Sequence, residues 1–311
     1  MSAAHEAAPA ALPDLATLDP TALANSSALL STLQDPIAAM GDAEWYGFGL
    51  TSSEIEARLI GLPFTAEVDV FAYKTAMFDS PPLTWGSLFT DQGSFLIPAA
   101  DPHSLFLVAE YLAMSGEFDP ESDLDAAVLA EALGFLSAAS ESGALSPESL
   151  DLVSASETWR TLRNGQDGAA QAPFEEFAAS YNPTVYAAGP FPTSDGNGIS
   201  LASAWLWAIP VGSAGDLATE LLEWLSEPGF LAEWSHALGM LPTQPEVLAL
   251  WPDGPETAIA SRLASVALPM PNEAVMSLYG PRFAAALQSV LSGDLTPAAA
   301  ADQAAGGSPA G

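Results

Sequence analysis

Residues 61–85, GLPFTAEVDVFAYKTAMFDSPPLTW, constrain the fold more than any other part of the chain. Phe64, Ala66, Val68, Val70 and Ala72 alternate with Thr65, Glu67, Asp69, Phe71 and Tyr73, which is the two-residue period of a β-strand. A Pro-Pro turn with Thr84 and Trp85 closes the unit. The run reads as a strand that crosses between two lobes and then enters a second domain. Glu67 is out of place in this apolar, β-branched company, because an ionised carboxylate is costly there unless it is exposed or partnered. It is therefore expected to face a cleft.

The rest of the chain fits a two-domain α/β protein. Its 311 residues suggest two domains, and 49% hydrophobic residues supply material for sizeable cores. No run approaches the length of a membrane helix, and the opening MSAAHEAAPAALPDL has neither the basic nor the apolar region of a secretion signal. Short strands are expected at 59–72, near 184–187 and at 199–209. Asp101-Pro102 opens a predicted helix through Met114, with Asp101 as N-cap and Gly116 just past the end. Further helices are predicted at 124–139, 216–225 and 228–238, the last stopped by Gly239, and Ser146-Pro147 and Thr296-Pro297 repeat the cap-then-proline signature. The Ala-rich ends, 2–11 and 298–311, are expected to fray.

Charge removes whole classes of function. Six Lys plus Arg against 39 Asp plus Glu leave a net charge of −33, and the six cations are scattered, so nucleic acid has nothing to bind. An anionic solute is poorly served by such a field, whereas a neutral or cationic one is permitted. The acidity itself reads as a solvated, aggregation-resistant surface. With no cysteine, neither a disulfide framework nor thiolate chemistry is available.

Catalytic and metal signatures are missing too. His5, His103 and His236 are far apart and lack the spacing of a zinc site. Asp119, Glu121, Asp123 and Asp125 alternate like a calcium loop but lack its glycine and closing glutamate, and acidic residues at a helix start explain them better. The Asp195-Gly-Asn-Gly run is a turn, not a phosphate cradle, and no nucleophile elbow is present. No metal, no cofactor and no enzymatic activity are expected.

Several motifs in order along the chain carry a family likeness. Pro63, Glu67, Tyr73, Pro81, Pro82, Thr84 and Trp85 form the first, with Lys74 in place of the usual Asn. WRTLRNG at 159–165, SAWLWAIP at 203–210, WLSEPGFLAEWSHALGMLPT at 224–243, PMPN at 269–272 and the segment 285–301, expected as a closing helix, follow. Together they resemble the family 1 extracellular solute-binding proteins of ABC importers, the maltose-binding-protein-like group, over about 12–303. The resemblance implies a two-lobed, type II periplasmic-binding-protein-like α/β fold. One lobe would be built from 12–66 and 206–264, the other from 67–205 and 265–303, with 1–11 and 304–311 disordered. ALPDLATLD at 11–19 resembles a strand that in the family follows two strand–helix pairs, so the likeness implies an N-terminal lobe that lacks those units. It also implies an extracytoplasmic full-length protein that captures a solute between its lobes, closes by hinge motion and presents it to ABC permease subunits.

The resemblance and the aromatics together nominate the solute contacts. Glu67 supplies an acceptor and Trp205, in the second crossing strand, an aromatic plane for the C–H face of a sugar. Tyr279 lies near the slot of a stacking tryptophan that here reads Gly280, and His103, Tyr181 and Trp45 are further candidates. Trp207, Trp224 and Trp234 read as buried packing. A neutral carbohydrate is the expected ligand. A polyamine, held by carboxylates and cation–π contact, a glycosidase using two of Glu44, Glu67 and Asp69, and a non-binding remnant are the competing readings.

Overall fold

The computed structural model describes residues 13–33, 44–78, 80–89, 93–118, 124–213 and 216–306. Asp119, Glu121, Asp123, His5 and both chain ends lie outside them. In chain order the elements are β1 (Ala16–Leu18), α1 (Pro20–Ser26), α2 (Gly47–Ser53), β2 (Glu54–Ile55), β3 (Arg58–Leu59), β4 (Leu62–Lys74), β5 (Phe95–Leu96), α3 (Leu105–Ala113), α4 (Ala126–Ser142), α5 (Ala155–Asn164), β6 (Ala169–Pro173) and α6 (Phe174–Ser180). They continue with β7 (Tyr186–Gly189), β8 (Ser200–Ala208), α7 (Asp216–Leu225), α8 (Pro228–Leu238), β9 (Leu241–Pro242), α9 (Pro245–Ala249), α10 (Pro255–Val266), β10 (Ala267–Pro269), α11 (Glu273–Leu291) and α12 (Pro297–Ala305).

The chain divides into two compact units, 1–68 with 201–270 and 69–200 with 271–311. In the first, residues 62–68 of β4 pair antiparallel with β8, from Leu62 opposite Trp207 to Val68 opposite Ala202. β1 and β10 also pair with β8, and β9 pairs with β4. Leu23, Leu30, Ile60, Leu206 and Ala208 form one apolar cluster here, and Leu33, Leu62, Ile209, Ala218 and Leu222 another. Gly61 packs closely, since a Cβ there would meet Leu206 and Leu23 carbons at 3.0–3.1 Å.

In the second unit the far half of β4 pairs antiparallel with β6 and β7, and β5 runs parallel to β6. Asp125 caps α4 by accepting from the backbone N–H groups of Ala127 and Val128, and Gly143, with φ 77°, ends it in the left-handed region that glycine enters without strain. α12 lies against α4 and α11 and buries Ala300, Ala301 and Ala304.

Four local expectations need correction. α3 begins at Leu105, not at Pro102, because Ser104 takes a left-handed φ of 48°; the Asp101 carboxylate still accepts from the backbone N–H groups of His103 and Leu105. Ser146-Pro147 opens a short 3-10 helix, Pro147–Asp151, and not an α-helix. The segment 285–301 is not one helix: α11 stops at Leu291 and Gly293, at φ 79°, separates it from α12. Alanines 298–305, expected to fray, belong to that packed helix, where small side chains permit close approach to α4.

Candidate functional site

Strand register places the first two candidates. Thr65 of β4 stands opposite Trp205 of β8, and Glu67 stands opposite Ser203, so Glu67 and Trp205 are diagonal neighbours on one face of the pair. Their side chains meet: the Trp205 indole Nε1–H donates to Glu67 Oε1 at 2.9 Å. Glu67 is exposed, and Ser203 and Trp205 are half-buried. The indole N–H is thereby satisfied within the protein and the ring plane is held, while the carboxylate keeps acceptor capacity for an incoming donor. This pair explains how a carboxylate is tolerated in the apolar strand, since it is both solvated and hydrogen-bonded.

Trp45, the third candidate of the first unit, is half-buried. Its Nε1 donates to the Pro63 carbonyl at 3.1 Å, which also accepts from Thr243 Oγ1 at 2.9 Å, and its ring lies against the Leu33–Leu62–Leu222 cluster. Trp207 and Trp234 stack on Phe64, with centroids at 4.4 and 5.2 Å, in line with their reading as packing residues. Trp224 departs from that reading: it is 52% exposed, with its ring centroid 5.0 Å from that of Phe230.

The remaining candidates lie in the second unit. The His103 ring is exposed, in the turn before α3, and its Nδ1 lies 3.8 Å from Asp101 Oδ1. Gly280 approaches this turn closely, because a Cβ there would meet His103 Cα and Cδ2 at 3.2 Å. Tyr279, by contrast, is only 4% exposed, packs on Phe118 at 5.4 Å and has the Arg282 guanidinium 5.5 Å from its ring centroid. Tyr181 is half-buried and packs on Phe177 at 4.8 Å. Both tyrosines thus spend ring surface on their own unit.

Two polar features of the second unit escaped the sequence reading. Asp69 accepts from Gln171 Nε2 at 2.6 Å. Glu110, wholly buried in α3, accepts from Trp85 Nε1 at 2.9 Å, while its other oxygen has no hydrogen-bond partner. Burial pushes the Glu110 carboxyl up to about 8, against a smaller opposing effect of the Trp85 hydrogen bond. It is a neutral acid of the core, and its tryptophan belongs to the Pro-Pro-x-Thr-Trp motif and stacks on Phe135 at 4.5 Å. Only the solitary position of Glu110 in the apolar helix LFLVAEYLA marked it in the sequence.

Metal chemistry finds no support among the described residues, where no group of three or more His, Asp or Glu side chains could hold an ion. Two α/β units joined by three passages of the chain, with an open acceptor-and-indole pair on a strand near one passage, define a binding protein of the type II periplasmic class. The comparisons agree. The chain belongs to the bacterial extracellular solute-binding protein family, whose model matches residues 2–260. No curated protein matches it.

Solved structures share the fold. The sugar-binding protein MalE of Xanthomonas citri superposes with a TM-score of 0.79 at 19% identity, covering 98% of this chain and 86% of that one. The cyclic alpha-maltosyl-1,6-maltose binding protein of Arthrobacter globiformis gives 0.77 at 20% identity, covering 98% and 85%. Maltose-bound MalE3 of T. maritima gives 0.75 at 16% identity, covering 98% and 86%. The family and these neighbours are binding proteins, not enzymes, and the family is extracellular. Among the described residues no helix is long and apolar enough to cross a membrane.

Proposed function

We propose that this protein is the carbohydrate-binding component of an ABC importer, taking up a neutral sugar and passing it to membrane permease subunits. The observation that carries the reading is the Glu67–Trp205 pair, an acceptor beside a fixed indole on an open strand face. A sugar ring stacks its C–H face on such a plane while a hydroxyl donates to the carboxylate. Similarity to proteins whose names specify maltose or a maltosyl sugar supports the same class. The charge balance supports a solute without negative charge, since a strongly acidic protein that offers the Glu67 carboxylate at the contact repels an anion.

Titration calorimetry of the full chain with maltose, and in parallel with spermidine, tests the proposal. Maltose should bind in the micromolar range, and Trp205→Ala should weaken it by tenfold or more, because an aromatic contact of this kind is worth about 1 kcal/mol beyond its buried area. Spermidine binding that needs Glu67, with no heat from maltose, would replace the sugar by a cationic solute.

A further inference from the structure

Asn-Gly steps occur at Asn164-Gly165 and Asn197-Gly198, both in the second unit and both with the asparagine exposed. Such a step can cyclise. The glycine nitrogen attacks Cγ of the asparagine, the Cγ–Nδ2 bond breaks, and Nδ2 leaves as ammonia with the proton given up by the glycine N–H. Water then opens the imide to aspartate, or to isoaspartate, whose backbone runs through Cβ and Cγ. Glycine permits the closure because it has no Cβ to obstruct the ring and leaves the backbone free to turn. In a folded chain the rate depends on which hydrogen bonds have to open first.

The two steps are held differently. Asn197 donates to Asp195 twice, from its backbone N–H to Oδ1 at 3.0 Å and from Nδ2 to Oδ2. Its nucleophile is tied as well: the Gly198 N–H donates to Thr193 Oγ1 at 3.2 Å, and that hydroxyl donates to Asp195 Oδ1 at 2.8 Å. The bonds from the Asn197 backbone and from Thr193 hold the Asp195 carboxyl below the usual carboxylate range, so it stays an acceptor wherever the cyclisation runs. Asn164, by contrast, is the last residue of α5, and its side chain makes no hydrogen bond among the described residues. The Gly165 N–H donates to the Thr161 carbonyl at 2.7 Å, which is a terminal bond of the helix, where helices fray. Lys74 Nζ donates to the Gly165 carbonyl at 2.9 Å and leaves the nitrogen untouched.

We propose that Asn164 is a deamidation site of this protein, and that Asp195 and Thr193 form a clasp that spares Asn197. The product places a carboxylate at the C-terminal end of α5, where the helix dipole opposes negative charge. Isoaspartate also adds a methylene to the backbone one residue before the carbonyl that Lys74 holds. The change is one-way and loosens the end of α5.

Folded full-length chain kept for weeks at mildly alkaline pH, then digested and mapped by peptide mass for conversion of amide to acid, tests it. Conversion at Asn164 should run about tenfold or more ahead of conversion at Asn197, where further hydrogen bonds have to open. Asp195→Ala should speed conversion at Asn197 several-fold, with Asn164 unchanged as the internal reference. Asn164→Gln should remove most of the acidic species that anion exchange resolves in aged protein, and Asn197→Gln should leave it. No conversion at Asn164, equal conversion at the two sites, or an acidic species that survives Asn164→Gln would overturn the assignment. A rate at Asn197 that ignores Asp195→Ala would overturn the clasp.

Discussion

Replacing Glu110 by Gln should remove a large pH dependence of stability. The carboxyl is fully buried, receives one hydrogen bond from Trp85 and has its other oxygen unpaired. The charged group that faces it is Asp195, whose own carboxyl is held low by hydrogen bonds from the Asn197 backbone and Thr193 and which therefore stays ionised. Trp85 and Thr193 are tied together, since the Trp85 backbone N–H donates to the Thr193 carbonyl at 3.2 Å. Glu110 titrates near 4.5 when unfolded and at about 8 in the native protein. Between these values the native state holds a proton that the unfolded chain has lost, so stability falls as pH rises through the window and levels off beyond both ends. The slope for one such group is about 1.4 kcal/mol per pH unit, or roughly 3 kcal/mol between pH 5.5 and 7.5. Denaturant melts of wild-type and Glu110→Gln protein at those two pH values, followed by tryptophan fluorescence, measure the difference while cancelling the other carboxylates. Gln should gain on wild type by that amount as pH rises. Parallel pH profiles for the two proteins, or a carbon-13 carboxyl resonance of Glu110 that titrates near 4.5, would refute the reasoning.

Two backbone positions give further tests. Glu56 and Ala57 both have positive φ, 52° and 58°, in the two-residue β2–β3 turn, so Ala57→Gly should relieve about 1 kcal/mol of left-handed strain and raise the melting temperature by about 2–4 °C, as calorimetry would record. Gly116 sits against the buried Tyr111 ring, where a Cβ would lie 2.4 Å from Cε1, and the ring is held by hydrogen bonds of its hydroxyl to Glu117 and Asp125. Gly116→Ala should therefore cost about 1–3 kcal/mol, read as a lower denaturation midpoint. Unchanged midpoints would show that the ring yields.

Legibility in the sequence followed the range of the interaction. β4, α7 and α8 could be read because alternation, proline at the first helical turn and glycine at the stop are all local to the element. β6, AAQAP, had no such mark. Alanine is a poor strand former, and the segment is a strand because β4 and β5 flank it. The start of α3 was misplaced because Asp101 can cap from a turn as well as from a helix start.

The candidate site divides along the same line. Glu67 could be singled out because a carboxylate in an apolar strand is a local contradiction. That its partner is an indole two positions along the neighbouring strand depends on a register shift between Pro63 and Thr65, which no local pattern encodes. Tyr279 shows the converse: the resemblance nominates it beside Gly280, and its packing on Phe118 is a contact that no local pattern encodes.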